Sequence, residues 1–141
     1  MDTQRPKVGV GLLLIKDGKI LLGKRKGSHG EGEYGGFGGH MEGQESFEQT
    51  ILREMAEEGG PDIKVKNLRF LCVSNIRKYA PKHYVDIGMV AEWESGEPQV
   101  TEPEKLEDWR WYDLNDVPQP LFGSVARYLE AYKNGTTYFS D

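Results

Sequence analysis

The chain contains one cysteine, Cys72, so an internal disulfide is excluded. Set in an apolar run, Cys72 reads as a core residue rather than a nucleophile. No apolar stretch approaches the ~20 residues of a membrane span, and the first residues carry no signal-like apolar region. These absences give the expectation of a soluble, cytoplasmic protein with no membrane partner. A long basic stripe is missing too. A formal charge of -5 and a pI near 5.3 argue against a nucleic-acid duplex as partner. An acidic substrate would therefore have to be met by a local basic patch or a metal. The three histidines, His29, His40 and His83, lack a metal-ligand spacing, which argues against zinc.

What is present fits one core. With 141 residues and 37% hydrophobic content the chain is large enough for a real core and too small for two ordinary ones. A single domain over 1–141 is expected, with residues 1–6 as a loose polar terminus. Val8–Ile15 is a glycine-bearing apolar run suited to a buried strand. Asp17-Gly18 is a tight-turn signal that pairs it with Ile20–Lys24 as a hairpin. Lys24, Arg25 and Lys26 alternate faces, so Arg25 points opposite to its neighbours.

The loop from Gly27 to Gly39 is glycine-rich, a composition that reads as flexible. Placed before a helix, those glycines let backbone groups approach a ligand, and a carbonyl of Gly38 or Gly39 is a candidate hard-oxygen ligand for Mg²⁺. Strong helix formers run from Glu45 to Glu58, stopped by Gly59-Gly60 and Pro61. Phe47, Ile51 and Met55 fall within about 80° around the axis, with Leu52 and Ala56 beyond, giving a broad apolar face. Beside it Glu54, Glu57 and Glu58 crowd one edge. Like charges so placed need a positive partner, and Arg53, which reaches Glu57 at i,i+4, cannot neutralise three acids. A divalent cation is the further candidate.

Downstream, Ile63–Val65, Arg69–Val73 and His83–Trp93 read as strands. The last places Val85, Ile87, Met89, Ala91 and Trp93 on one face, with Tyr84, Asp86, Gly88 and Glu92 opposite, either solvated or lining a cleft. Glu94–Asp108 is an acidic loop from which Glu104 is the candidate to swing over the helix as a further ligand or base. A strand at Trp109 and a helix over Leu121–Lys133 complete the chain. Strands flanked by helices, with an antiparallel first pair, predict an α/β sandwich with a mixed sheet.

Gly39, Glu45, Arg53-Glu54, Glu57-Glu58 and Gly60 resemble the Nudix box, glycine-x5-glutamate-x7-arginine-glutamate-aliphatic-x-glutamate-glutamate-x-glycine-aliphatic. Pro61 stands at the closing aliphatic position, with Ile63 two residues on, and Gly36-Phe37 stands where family members often have leucine-proline. The whole chain is similar to MutT-like Nudix hydrolases. Leu22–Ser28, Glu102–Lys105 and Leu121-Phe122 resemble a subset that acts on nucleoside triphosphates.

The resemblance implies a Nudix-type α/β/α sandwich and Mg²⁺-dependent hydrolysis, with Mn²⁺ a possible substitute, of nucleoside or deoxynucleoside triphosphates to monophosphate and pyrophosphate. Water attacks phosphorus and an acid accepts its proton. Gly38, Glu54, Glu57 and Glu58 are the expected metal site; Arg53, Glu54, Glu57, Glu58 and Glu104 the catalytic set, with Arg53 fixing Glu57. Arg25, Gly39, His40 and Phe122 are the expected substrate contacts. The alternatives are a Nudix hydrolase of nucleotide-sugars or dinucleoside polyphosphates and a catalytically silent nucleotide-binding sensor. A monomer or homodimer is expected.

Overall fold

The structure, a computed structural model, describes residues 5–27 and 29–141; part of the expected loose terminus, residues 1–4, and Ser28 lie outside them. Strand β1 (Lys7–Lys16) turns at Asp17-Gly18 into β2 (Lys19–Arg25), and both turn residues have positive φ, as a tight hairpin of right-handed strands requires. The two strands stay paired only at Ile15/Ile20 and Lys16/Lys19. Beyond that they part. The first half of β1 takes up β4 (Gly38–His40), while β2 pairs with β3 (Tyr34–Gly35) and β7 (Leu106–Asp113).

On its other side β1 runs parallel to β6 (Tyr84–Ser95), which is antiparallel to β5 (Lys64–Ile76), and β5 runs parallel to β8 (Tyr138–Ser140). The mixed sheet is thus observed. The short strands β3 and β4 correct the flexible reading of Gly27–Gly39. Strand pairing is a backbone property, and β1 and β2 supply partners that glycine composition does not announce. The two segments expected around Ile63 and Arg69 are one strand with register shifts, where Asn67 adopts φ 54.

Helix α1 (Phe47–Gly59) covers one face of the sheet and α2 (Val125–Asn134) the other. Alternation along the strands feeds both layers: Val10, Leu12, Leu14, Ile87, Met89 and Ala91 meet Ile51 and Met55 of α1, whereas Leu13, Ile15, Cys72 and Val90 meet Tyr128 and Leu129 of α2. Cys72 is fully buried, as expected of a core residue, and burial pushes its thiol up to about 11.

Helix α1 begins later than its composition suggests because Ser46 caps it. The Ser46 hydroxyl accepts from the Gln49 N–H while the Gln49 side chain accepts from the Ser46 N–H. Glu45 is thereby left outside the helix. The buried face is narrower than predicted: Thr50, Ile51, Met55 and Gly59 are buried, but Phe47, Leu52 and Ala56 are exposed. At the exit Gly60 has φ 88, and Ile63 goes into the core beside Gly59 and Phe37, the apolar role that Pro61 does not fill. Helix α2 also starts late. Gly123 has φ 60, which an advancing helix cannot accommodate, so Leu121 pairs with Tyr34 and Phe122 stays in a loop.

Candidate active site

The site forms where β4 and its preceding turn meet one edge of α1. Arg53 is its hub. Its Nε donates to Glu45 Oε2 at 2.8 Å and Nη2 to Glu45 Oε1 at 3.0 Å, while Nη1 donates to Glu54 Oε1 at 2.8 Å and Nη2 also reaches the His40 carbonyl at 3.0 Å. Glu45 is steadied in turn by the Thr50 hydroxyl and the Glu42 N–H, so two carboxylates and a loop carbonyl are tied to one planar guanidinium.

This revises the role expected of Arg53. Glu57 lies 3.6 Å from Nη1 with a side chain 57% exposed, so Arg53 fixes Glu45 and Glu54 first and Glu57 only loosely. Sequence reasoning matched Glu45 to the box but gave it no role. Its signal is the eight-residue spacing to Arg53, which becomes a contact only once the loop before α1 is folded.

The Glu45–Arg53 fork has a pH signature. Arg53 holds the Glu45 carboxyl down at about 2, well below its ordinary value of 4.5. A depressed folded-state pKa contributes stability that is present above 4.5 and lost as pH falls towards 2. The melting temperature of Glu45→Gln is therefore expected to lie below the parent's at neutral pH, with the gap closing on acidification through that window. A constant gap would contradict the assignment.

Glu54 and Glu58 stand one turn apart beside the Gly38-Gly39 backbone. The Gly38 N–H donates to Glu58 Oε1 at 2.9 Å, and a β-carbon on Gly39 would lie 2.2 Å from the Glu54 carboxyl carbon. Only glycine leaves the Glu54 carboxylate where it lies. Gly39→Ala is expected to push Glu54 off the backbone and cut turnover sharply, with a much smaller change in melting temperature, measured by steady-state kinetics and thermal unfolding. Burial pushes Glu58 up to about 8 against the Gly38 N–H, with Glu54 and Glu102 adding to the rise and Arg25 opposing it. Burial also raises Glu54 despite Arg53.

The three acids do not converge as expected. Among the described residues no three His, Cys, Asp or Glu side chains gather where an ion could be held by side chains alone. Mutual repulsion and separate partners explain this: Glu54 is held by Arg53, Glu58 by Gly38, and Glu57 turns to solvent. The donors still suit a hard divalent cation, because two half-buried carboxylates one turn apart lie against a peptide backbone whose carbonyls add further oxygen. Glu57 would complete the set by turning inward.

Between the parting strands lies a cavity of about 150 Å³ lined by Arg25, Gly35, Gly36, Glu58, Glu102, Lys105, Leu106 and Trp109. Arg25 is turned away from Lys24, which pairs with Glu107 at 3.6 Å; the Arg25 guanidinium lies 3.9 Å from the Phe122 ring centroid. Two expected substrate contacts are thus brought together. His40 is not with them: its ring is near Tyr84, and it borders a second, open groove with Lys7 and Met41.

The acidic loop does swing over the helix, but it brings Glu102 to the cavity while Glu104 is exposed. Gln99 N–H bonds to the Gly59 carbonyl and the Thr101 hydroxyl to the Glu57 carbonyl, and these anchors fix which acid faces inward. Lys105, which the sequence placed in the Glu102–Lys105 segment but gave no role, lines the same cavity.

A sheet between two helices, with an acidic edge braced by arginine against a glycine turn, is an α/β/α arrangement whose oxygen donors suit a divalent cation. The NUDIX domain model matches residues 5–132. The NAD-capped RNA hydrolase NudC of Pseudomonas syringae is 36% identical over 123 residues, 86% of this chain and 42% of that protein. The chain thus spans less than half the length of the curated relatives it matches. A MutT NUDIX hydrolase from Burkholderia pseudomallei superposes with a TM-score of 0.81 at 37% identity, covering 91% of this chain and 98% of that one. The NUDIX domain of Shewanella oneidensis NrtR, complexed with ADP ribose, gives 0.75 at 25% identity, covering 94% and 90%. The chain belongs to the NUDIX domain family, whose hydrolases act on phosphoanhydride bonds.

Proposed function

We propose that the chain hydrolyses nucleoside or deoxynucleoside triphosphates to monophosphate and pyrophosphate, using Mg²⁺ or Mn²⁺ held by Gly38, Glu54, Glu57 and Glu58. The observation that carries this reading is that Arg25, which lines the cavity with Glu58, has its guanidinium 3.9 Å from the Phe122 ring centroid. A fixed positive charge for phosphates and an aromatic surface for the nucleoside thus stand beside the acidic edge. The likeness to the Burkholderia MutT protein over nearly all of both chains supports it.

When bound, the cation would neutralise the polyphosphate and activate water for attack on phosphorus. The chain's own part is to orient. Arg53 fixes Glu54, the Gly38 N–H fixes Glu58, Arg25 and Lys105 bind phosphate oxygens, and Trp109 and Leu106 exclude water from one wall. Glu58, or Glu102 on the same cavity, accepts the proton.

The names of the NudC relatives and the ADP-ribose complex favour a second reading, cleavage of a dinucleotide or nucleoside-diphosphate sugar. A panel of triphosphates, NAD, ADP-ribose, UDP-sugars and dinucleoside polyphosphates, scored with and without Mg²⁺, separates the two. Pyrophosphate release from triphosphates is the expected result. Turnover confined to the other compounds would replace the first reading with the second, and binding without Mg²⁺-dependent turnover would identify a sensor.

A further inference from the structure

Arg25 is gripped on more sides than a surface cation needs. Its backbone is tied into the glycine-rich loop, because its N–H donates to the Glu33 carbonyl and its carbonyl accepts from the Gly32 N–H, each at 2.8 Å. The side chain is held as well. Its Nε donates to the His29 carbonyl at 3.2 Å, and the guanidinium carbon lies 3.9 Å from the centroid of Phe122. The His29 and Phe122 rings stand nearly perpendicular with centroids 5.5 Å apart, so loop and aromatic close around the arginine together. Phe122 is anchored in turn, since its N–H donates to the Tyr34 carbonyl at 2.8 Å.

Gly30 is what lets them close. It has φ 72, and a β-carbon there would lie 2.6 Å from two ring carbons of Phe122 and 3.1 Å from Arg25 Nε. Any other residue would strain the backbone and displace the ring or the guanidinium. Gly35 imposes no such limit, because a β-carbon there would come no nearer to Phe122 than 3.4 Å. The close approach is local to Gly30.

The donors left over define the use. A guanidinium carries five N–H groups in a rigid arrangement, one on Nε and four on the two Nη atoms. His29 takes the first. Among the described residues neither Nη has a hydrogen-bond or ion-pair partner, although Arg25 lines the cavity of about 150 Å³ beside Glu58, Glu102 and Lys105. Lys105, by contrast, is already paired with Glu102 at 3.1 Å. Two preset Nη atoms at a cavity wall suit two oxygens of one phosphoryl group.

Resting on the triphosphate reading above, we propose that Arg25 is an end-on fork for one phosphoryl group of the polyphosphate, and that Phe122 and Gly30 are positioning residues that set its direction. The His29 carbonyl occupies Nε and Phe122 covers one face, so the donors that Arg25 still offers are those of its Nη edge. Binding then orders little that is not already ordered. A lysine in its place would supply the charge without the direction. Phe122 thereby acts on phosphate as well as on the nucleoside, and inorganic pyrophosphate, which carries no nucleoside, should register its loss.

Calorimetric titration with inorganic pyrophosphate at saturating Mg²⁺ reads the fork without a nucleoside or a reaction. Arg25→Lys is expected to weaken binding about tenfold or more, and Gly30→Ala or Phe122→Leu about fivefold, while Phe122→Tyr keeps the parent's affinity. The losses should not add: once Phe122 is replaced by leucine, Arg25→Lys should cost little more. With triphosphates the same variants should raise KM more than they lower kcat. Phe122→Leu carries the comparison if Gly30→Ala does not fold. Parent affinity in Arg25→Lys, losses that add fully in the double variant, or no pyrophosphate binding by the parent would overturn the proposal. Pyrophosphate binding is read whether or not triphosphates are cleaved. Failure of the substrate panel therefore counts against the proposed activity and leaves the fork to be judged separately.

Discussion

Glu58→Gln is expected to lower turnover by about 10²-fold or more while leaving the melting temperature of the metal-free protein unchanged or higher. Glutamine keeps the volume of Glu58 and an oxygen to accept the Gly38 N–H, so the contact between α1 and β4 survives. What disappears is a carboxylate that burial already disfavours and that Glu54 and Glu102 repel. The apo fold loses a liability, whereas on the proposed assignment the reaction loses a cation ligand and proton acceptor. Glu57→Gln should follow the same pattern, with less effect on stability because its side chain faces solvent. Steady-state kinetics at saturating Mg²⁺ beside thermal unfolding in chelator makes the comparison. Retained turnover in both variants would contradict the assignment of the acidic edge.

Arg53→Lys should be as damaging to turnover, about 10²-fold, for a different reason. A lysine retains the charge but not the planar fork that binds both Glu45 oxygens while also reaching Glu54 and the His40 carbonyl. Without that fork β4 is tied to α1 only through the Gly38–Glu58 hydrogen bond, and Glu54 is free to rotate. This variant should therefore melt at a lower temperature, unlike Glu58→Gln, and need more Mg²⁺ for half-maximal rate. Wild-type Mg²⁺ dependence in Arg53→Lys would show that positioning of Glu54 does not pass through the guanidinium.

The contrast between these two residues shows what the sequence can express. Helical periodicity turns the spacing of Glu54, Glu57 and Glu58 into an edge, so an acidic edge on α1 was legible before any fold was known. The partner of Arg53 was not. Glu45 lies outside the helix, and its contact depends on the turn between Gly39 and Ser46 and on the Ser46 cap. The inward acid of the loop was misplaced for a similar reason: Glu102 rather than Glu104 reaches the cavity because Thr101 and Gln99 bond to carbonyls at the end of α1.

Fold class and the central strands were readable because Val10, Leu12 and Leu14 and their counterparts alternate between two cores. Strands β3, β4 and β8 were not, since two or three residues carry too little side-chain pattern to identify them. Leu121 and Phe122 fit the apolar spacing of α2, yet the positive φ of Gly123 detaches them and frees Phe122 for Arg25.

Manganese titration followed by electron paramagnetic resonance, with a non-hydrolysable triphosphate present, probes the central claim most directly. The account predicts uptake that the nucleotide strengthens and that Glu54→Gln or Glu58→Gln weakens by about tenfold or more. Uptake identical in the parent and both variants, or none in the parent, would show that the acidic edge of α1 is not where the cation and its polyphosphate meet.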